Sequence, residues 1–150
     1  MSDPTAATRY LDTSAIAPMF VPDGHSDAMR GWLARKAQPL IISDFGAAEF
    51  AAAVGRLLRM GELRATDTNA VLSKFDRWRT DQVLVRLTTA NDIAACDRLV
   101  RDFRLKLGAA DALHLAIAIT IDAPLVTFDL RLASAARLVD HPVAVPNQAA

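Results

Sequence analysis

Two short apolar runs each end on an aspartate: Arg9-Tyr10-Leu11-Asp12 near the start of the chain and Leu125-Val126-Thr127-Phe128-Asp129 near its end. As strands of one parallel sheet they would project both carboxylates from its carboxyl-terminal rim, where open α/β sheets place their ligands. Between them, Glu49 and Asp111 interrupt stretches otherwise built of Ala, Leu, Ile, Val, Phe and Gly. A carboxylate in such surroundings carries a large desolvation cost unless it is partnered, and no Lys, Arg or further set of donors stands beside these two in the sequence. If the acids converge, two carboxylates ~4 Å apart repel by about 4 kcal/mol at an effective dielectric of about 20. A divalent cation among the oxygens removes that conflict, and Mg²⁺ and Mn²⁺ prefer such oxygen-rich, partly hydrated sites.

The elements that must position these acids alternate between strand and helix. Residues 1–7 are polar or small and read as a frayed end, as do residues 146–150. A first strand is expected at Thr8 to Asp12 and a short helix at Thr13 to Met19, limited by Pro18 and Pro22. Ser26 can cap a helix that turns Met29, Trp32 and Leu33 inward and Arg30, Arg35 and Lys36 to water. Pro39 to Ser43 reads as a second strand, and Ser43 or Asp44 would cap a long helix that runs to Met60 and stops at Gly61.

Thr66 to Arg79 spaces Val71, Leu72, Phe75 and Trp78 as a helix does, and Val83 to Leu87 suits a third strand. Thr89-x-x-Asp92 forms a capping-box pattern ahead of a helix with Ile93, Cys96, Leu99, Val100 and Phe103 inward. Its opposite face offers the pairs Asp97 with Arg101 and Asp102 with Lys106, solvated and worth only tenths of a kcal/mol. Ala109 to Ile121 is apolar on every side apart from Asp111, His114 and Thr120, so it belongs at the centre of the fold. By itself Asp111 is explained as an acid in a helix's first turn, where the dipole favours negative charge. Pro124 to Asp129 is a further strand, Leu130 to Leu138 a last helix, and Val143 to Val145 an edge. Such alternation demands right-handed crossovers and a mostly parallel sheet of four to five strands between layers of helices.

At 150 residues the chain has the size of one domain with one core. Hydrophobic residues make up 52% and mean hydropathy is +0.18, which excludes disorder, and no apolar run approaches the ~18 residues of a membrane span. The amino terminus shows no secretory signal pattern and Cys96 has no cysteine to pair with, so a reducing cytoplasm is expected. The 17 basic and 17 acidic residues cancel, yet all the basic ones except Lys36, Lys74 and Lys106 are Arg, which suits bidentate phosphate contacts. Arg clusters at 56, 59 and 64, at 77 and 79, and at 98, 101 and 104 are otherwise ordinary solvated helix faces.

Taken in order, Tyr10-Leu11-Asp12-Thr13-Ser14-Ala15, the Ser43 to Glu49 segment, Asp111-Ala112-Leu113-His114-Leu115-Ala116 and Leu125-Val126-Thr127-Phe128-Asp129 resemble the successive signatures of PIN-domain nucleases, the VapC-type toxin branch above all. The resemblance spans about residues 8 to 145 and implies a single three-layer α/β PIN domain over residues 1–150. It also implies that Asp12, Glu49, Asp111 and Asp129 form an acidic quartet that binds Mg²⁺ or Mn²⁺ and cleaves RNA. A homodimer, and a cognate antitoxin whose tail occupies the active-site groove, are implied in the same way. Many relatives carry an Arg, often with a Pro, just before the Asp111 motif. Here that stretch reads Leu107-Gly108-Ala109-Ala110, so a basic contact there would fall to Lys106 or Arg104.

Thr13 and Thr127 flank the strand-end acids and can orient carboxylates by hydrogen bonds. Ser14 suits a cap or a supporting donor, since no His and acid arrangement activates it as a nucleophile. His114 shares a helix face with Asp111 and is expected to be packed and hydrogen-bonded. His25 and His141 fall in loops and carry no signal, while positions around Trp32 and Trp78 would suit a dimer or a partner helix. A phosphatase of the haloacid-dehalogenase pattern wants a second Asp two residues after the first, where Ser14 stands, and a receiver domain wants a strand-end Lys that is absent. The remaining alternative is an idle PIN-like module that binds RNA or a partner without turnover.

Overall fold

The computed structural model describes residues 8–35 and 39–148, which form five strands and seven α-helices. Lys36 and the expected frayed end at residues 1–7 lie outside the described residues. In chain order the elements are β1 (Arg9–Leu11), α1 (Thr13–Phe20), α2 (Ser26–Arg35), β2 (Leu40–Ser43), α3 (Asp44–Arg59) and α4 (Ala65–Asp81). They continue with β3 (Leu84–Arg86), α5 (Ala90–Arg101), α6 (Ala109–Thr120), β4 (Leu125–Val126), α7 (Leu130–Leu138) and β5 (Val143–Ala144). The strands lie in the order β3-β2-β1-β4-β5, and every pairing is parallel. The expected three-layer architecture is therefore what the chain adopts.

Strand alternation sorts the core into two halves. Tyr10 and Leu125 point to the layer of α5, α6 and α7, where Leu113, Leu115, Ile117 and Leu132 pack. Leu11, Ile42 and Val126 point to the other face, against Ile16, Met29, Phe50 and Phe75. Trp32 and Trp78 belong to this second half and are only 5% and 8% exposed, so they are core rather than docking positions. The Trp78 ring is held edge-on by Phe20 at 5.2 Å, which the spacing of single apolar residues could not reveal.

Helix ends follow local chemistry. Ser43 caps α3 by accepting from Gly46 N–H, and α3 runs into Gly61, which takes the left-handed φ of +77° that residues with a Cβ resist. Thr89 and Asp92 form the expected capping box on α5. Ser26 does not cap α2: it is the first helical residue, and its hydroxyl donates to Pro18 O at 2.8 Å. Two expected inward positions on α5 face water. Ile93 is 52% exposed because Asp92 takes the buried place in that turn, paired with Arg86 at 3.1 Å. Phe103 is 84% exposed because α5 stops at Arg101 and a 3₁₀ turn at Phe103–Leu105 breaks the helical phase. For the same reason Asp102 pairs not with Lys106 but with Arg104, at 2.7 Å, whereas Asp97 does pair with Arg101. Residues 146–148 make a turn closed by Gln148 N–H donating to Val145 O.

Candidate active site

β1 lies between β2 and β4, so the chain's crossovers run outward from it in opposite directions. That reversal leaves a crevice at the carboxyl ends of β1 and β4, the place where α/β sheets bind ligands. Asp12 is the residue after β1, and Asp129 stands just beyond β4. Each also caps the helix that follows: Asp12 accepts from Ala15 N–H at the start of α1, and Asp129 Oδ1 accepts from Arg131 and Leu132 N–H at the start of α7. Asp111 comes from the first turn of α6 and Glu49 from the second turn of α3.

Asp12 is 3% exposed, and the fold surrounds it with hydrogen-bond donors. Ser14 Oγ donates to Oδ1 at 2.7 Å, Ala15 N–H to the same oxygen at 3.1 Å, and Thr127 Oγ1 to Oδ2 at 2.6 Å. Thr127 Oγ1 accepts from Asp129 N–H at 2.9 Å, so one hydroxyl ties the two strand ends together. Ser14 Oγ accepts from Phe128 N–H at 2.9 Å, and the exposed His25 ring stacks on Phe128 at 4.3 Å. Burial pushes the Asp12 carboxyl above its usual range, against the pull of His114 and of the three donors.

Glu49 is half-buried and differently held. Thr13 Oγ1 donates to its Oε1 at 2.6 Å, and His114 Nε2 meets the same oxygen at 2.5 Å. Burial works to raise this carboxyl, but the hydrogen bonds from His114 and Thr13 outweigh it and leave it below the usual value. Behind His114 stands Tyr10, whose hydroxyl lies 2.7 Å from Nδ1 and 2.9 Å from Ser43 Oγ. Tyr10 and Ser43 were legible only as a strand residue and a cap. The available signal was positional: Tyr10 precedes Asp12 by two, and a histidine inside an apolar helix needs polar partners.

Asp111 accepts no hydrogen bond among the described residues, although it is half-buried. Burial raises its carboxyl first, then the charge of Asp129; His114 and Arg131 pull it down and Glu49 pushes it up. The acids therefore feel one another across the rim. None of Asp12, Asp111 and Asp129 forms an ion pair with Lys or Arg among the described residues. Four carboxylate oxygens remain without a donor there: both of Asp111, Oδ2 of Asp129 and Oε2 of Glu49. These are hard oxygens of the type that suits Mg²⁺ or Mn²⁺. Among the described residues, however, no three His, Cys, Asp or Glu side chains already stand close enough to form a metal cage. The donor set thus fits a hydrated ion held by few carboxylates, as Mg²⁺ is commonly bound, and not a closed all-protein cage.

A family model for the PIN domain matches residues 9–138. A search of curated proteins finds no match. Among solved structures, FitAcB from Neisseria gonorrhoeae is 19% identical, with a TM-score of 0.70 over 91% of this chain and 96% of that one. VapC20 of Mycobacterium tuberculosis, described as a sarcin-ricin loop cleaving toxin, is 21% identical with a TM-score of 0.66, over 84% of this chain and 93% of that one. VapBC2 from Rickettsia felis, bound to a DNA fragment from their promoter, is 19% identical with a TM-score of 0.68, over 91% and 97%. Likeness at these identities is a likeness of fold. The family-model match, which takes in β1 through α7 and with them every acid of the rim, places the chain in the PIN-domain family.

Proposed function

We propose that this chain is a Mg²⁺- or Mn²⁺-dependent endoribonuclease that hydrolyses RNA phosphodiester bonds, and that it is the toxin of a toxin–antitoxin pair. The observation that carries the reading is Asp111: a half-buried carboxylate with no donor, raised by burial and by the charge of Asp129 at the same rim. A carboxylate so placed is relieved by a cation. Asp12, Asp111 and Asp129 would hold the ion, with Glu49 completing the set. When bound, the ion supplies charge neutralisation at the phosphate and a water activated for in-line attack.

The chain's own groups supply the rest. Asp12 keeps one orientation because both its oxygens are already engaged by Ser14, Ala15 and Thr127. Glu49, held below its usual range, is ionised at neutral pH and can take the proton released by an attacking water. Arg131, close enough to lower Asp111, offers a positive charge to an incoming phosphate.

An antitoxin, a homodimer and a cytoplasmic setting are part of the same proposal. Support for the partner comes from a structural neighbour described as a toxin-antitoxin complex from Klebsiella pneumoniae. No helix among the described residues is long and apolar enough to cross a membrane. The test is end-mapping of RNA incubated with purified wild type, with Asp12→Asn and with Asp129→Asn, each with Mn²⁺ and with EDTA. New ends made by wild type with Mn²⁺ alone are expected. RNA bound with no new ends would replace the nuclease by a binding module, and cleavage undiminished in both variants would remove the acidic rim from the chemistry.

A further inference from the structure

His114 is 2% exposed, so each ring nitrogen needs a partner inside the protein, and the structure gives both. The Tyr10 hydroxyl carries its proton at neutral pH, as a phenol ordinarily does. It has one proton and two neighbours, Ser43 Oγ and His114 Nδ1. Whichever receives it, the contact on the far side of the ring is fixed. A carboxylate at neutral pH is acceptor-only, so the 2.5 Å contact between Glu49 Oε1 and His114 Nε2 requires the hydrogen on the ring nitrogen.

The ring has little room to turn away. A Cβ on Gly46 would meet His114 Cε1 at 3.4 Å and Ser43 Oγ at 3.3 Å, so the first turn of α3 sits directly on the imidazole. Phe45 and Tyr10 tilt against it with centroids at 5.4 Å and 5.8 Å. Glu49 follows Gly46 by three residues, one turn along the same helix. His114 follows Asp111 by three on α6. The Nε2–H to Oε1 bond therefore joins the helix that carries Asp111 to the helix that carries Glu49.

We infer that His114, steered by Tyr10, is a positioning residue that fixes Glu49 at the rim. It ties one carboxylate oxygen to the core, leaves the other as a free acceptor and sets the separation of Glu49 from Asp111. Two donors, His114 and Thr13, share Oε1, while Oε2 has none among the described residues. A core histidine needing only to be satisfied could use any carbonyl; this one uses an acid of the candidate site. The role at the ion rests on the nuclease reading, but the relay itself does not.

Two measurements separate them. In metal-free wild type, imidazole ¹⁵N–¹H correlation spectra are expected to show His114 protonated at Nε2; a bare Nε2 would overturn the relay whatever the chain does to RNA. Mn²⁺ affinity is then measured for Tyr10→Phe, His114→Leu and His114→Gln, with thermal unfolding as the check on folding. Loss of an outer hydrogen-bond partner typically weakens a metal site about 10- to 100-fold, and His114→Leu is expected in that range. Tyr10→Phe, which removes only the hydroxyl, should lose less, and His114→Gln, which can keep an N–H near Nε2, should recover most of the affinity while KM for RNA stays unchanged. A folded His114→Leu that binds Mn²⁺ as wild type does would overturn the positioning role. If that variant does not fold, an unchanged Mn²⁺ affinity in Tyr10→Phe does so instead. Wild type that neither binds Mn²⁺ nor cleaves RNA would sink the nuclease reading, with the tautomer still deciding the relay.

Discussion

Asp12 and Glu49 are two carboxylates of one rim pushed in opposite directions by their surroundings, and pH separates them. Burial holds Asp12 above its ordinary 3.8, so the folded chain binds its proton more tightly than the unfolded one. That contribution destabilises at neutral pH and is relieved as pH falls through the raised value. Glu49 sits below its ordinary 4.5, so its contribution is present above that value and is lost as pH falls through the lowered one. Asp12→Asn keeps the shape, and the amide oxygen can still accept from Ala15 N–H. Metal-free Asp12→Asn is therefore expected to be at least as resistant to urea at neutral pH as wild type, with the difference shrinking toward about pH 4. Metal-free Glu49→Gln is expected to be less resistant at neutral pH. Urea midpoints across that pH range check both signs.

At the scale of elements, the acids double as helix caps, so structure and chemistry can be separated by choice of substitution. Asp129→Asn should retain the cap on α7, while Asp129→Ala should lose about 1 kcal/mol with it. Both are expected to abolish Mn²⁺-dependent cleavage, which denaturation curves beside a cleavage assay will show. Beyond the β3 edge of the sheet, two strands from β1, Asp92 is fully buried, completes the capping box of α5 and is paired with Arg86. Arg86→Met leaves that charge without its partner, and a loss of about 3 kcal/mol is expected with no change in cleavage by the folded fraction. Unfolding that matches wild type would mean that water replaces the guanidinium at no cost.

At the scale of the molecule, a ligand that binds only the folded chain stabilises it by mass action. Mn²⁺ at about 100 times its Kd adds about 2.7 kcal/mol, which for a chain of this length raises Tm by roughly 5 to 10 °C. That rise is expected for wild type, reversed by EDTA and absent in Asp12→Asn. Sedimentation of the free chain tests the proposed homodimer. The exposed apolar side chains available to an interface are not those around the tryptophans; they include Leu84, Leu87, Phe103, Leu130 and Leu138.

The order of strands and helices, the caps at Ser43 and Thr89, and the burial of α6 were all legible in the sequence. Each is decided by residues near one another along the chain: a hydroxyl and the N–H groups beyond it, or a run of apolar side chains at helical spacing. The four acids were legible as residues for a similar reason, since each is a charge set in a local stretch that does not favour one. What stands around them was decided only in three dimensions. Thr127 reaches Asp12 across β4 and β1, and Tyr10 reaches Ser43 and His114 from three different elements. Parallel strands joined through helices bring together groups more than 30 residues apart, and hydrogen bonding depends on that juxtaposition rather than on spacing along the chain. The same holds for Ile93 and Phe103, whose exposure was fixed by neighbouring elements and by where a helix stops, which their own periodicity did not encode.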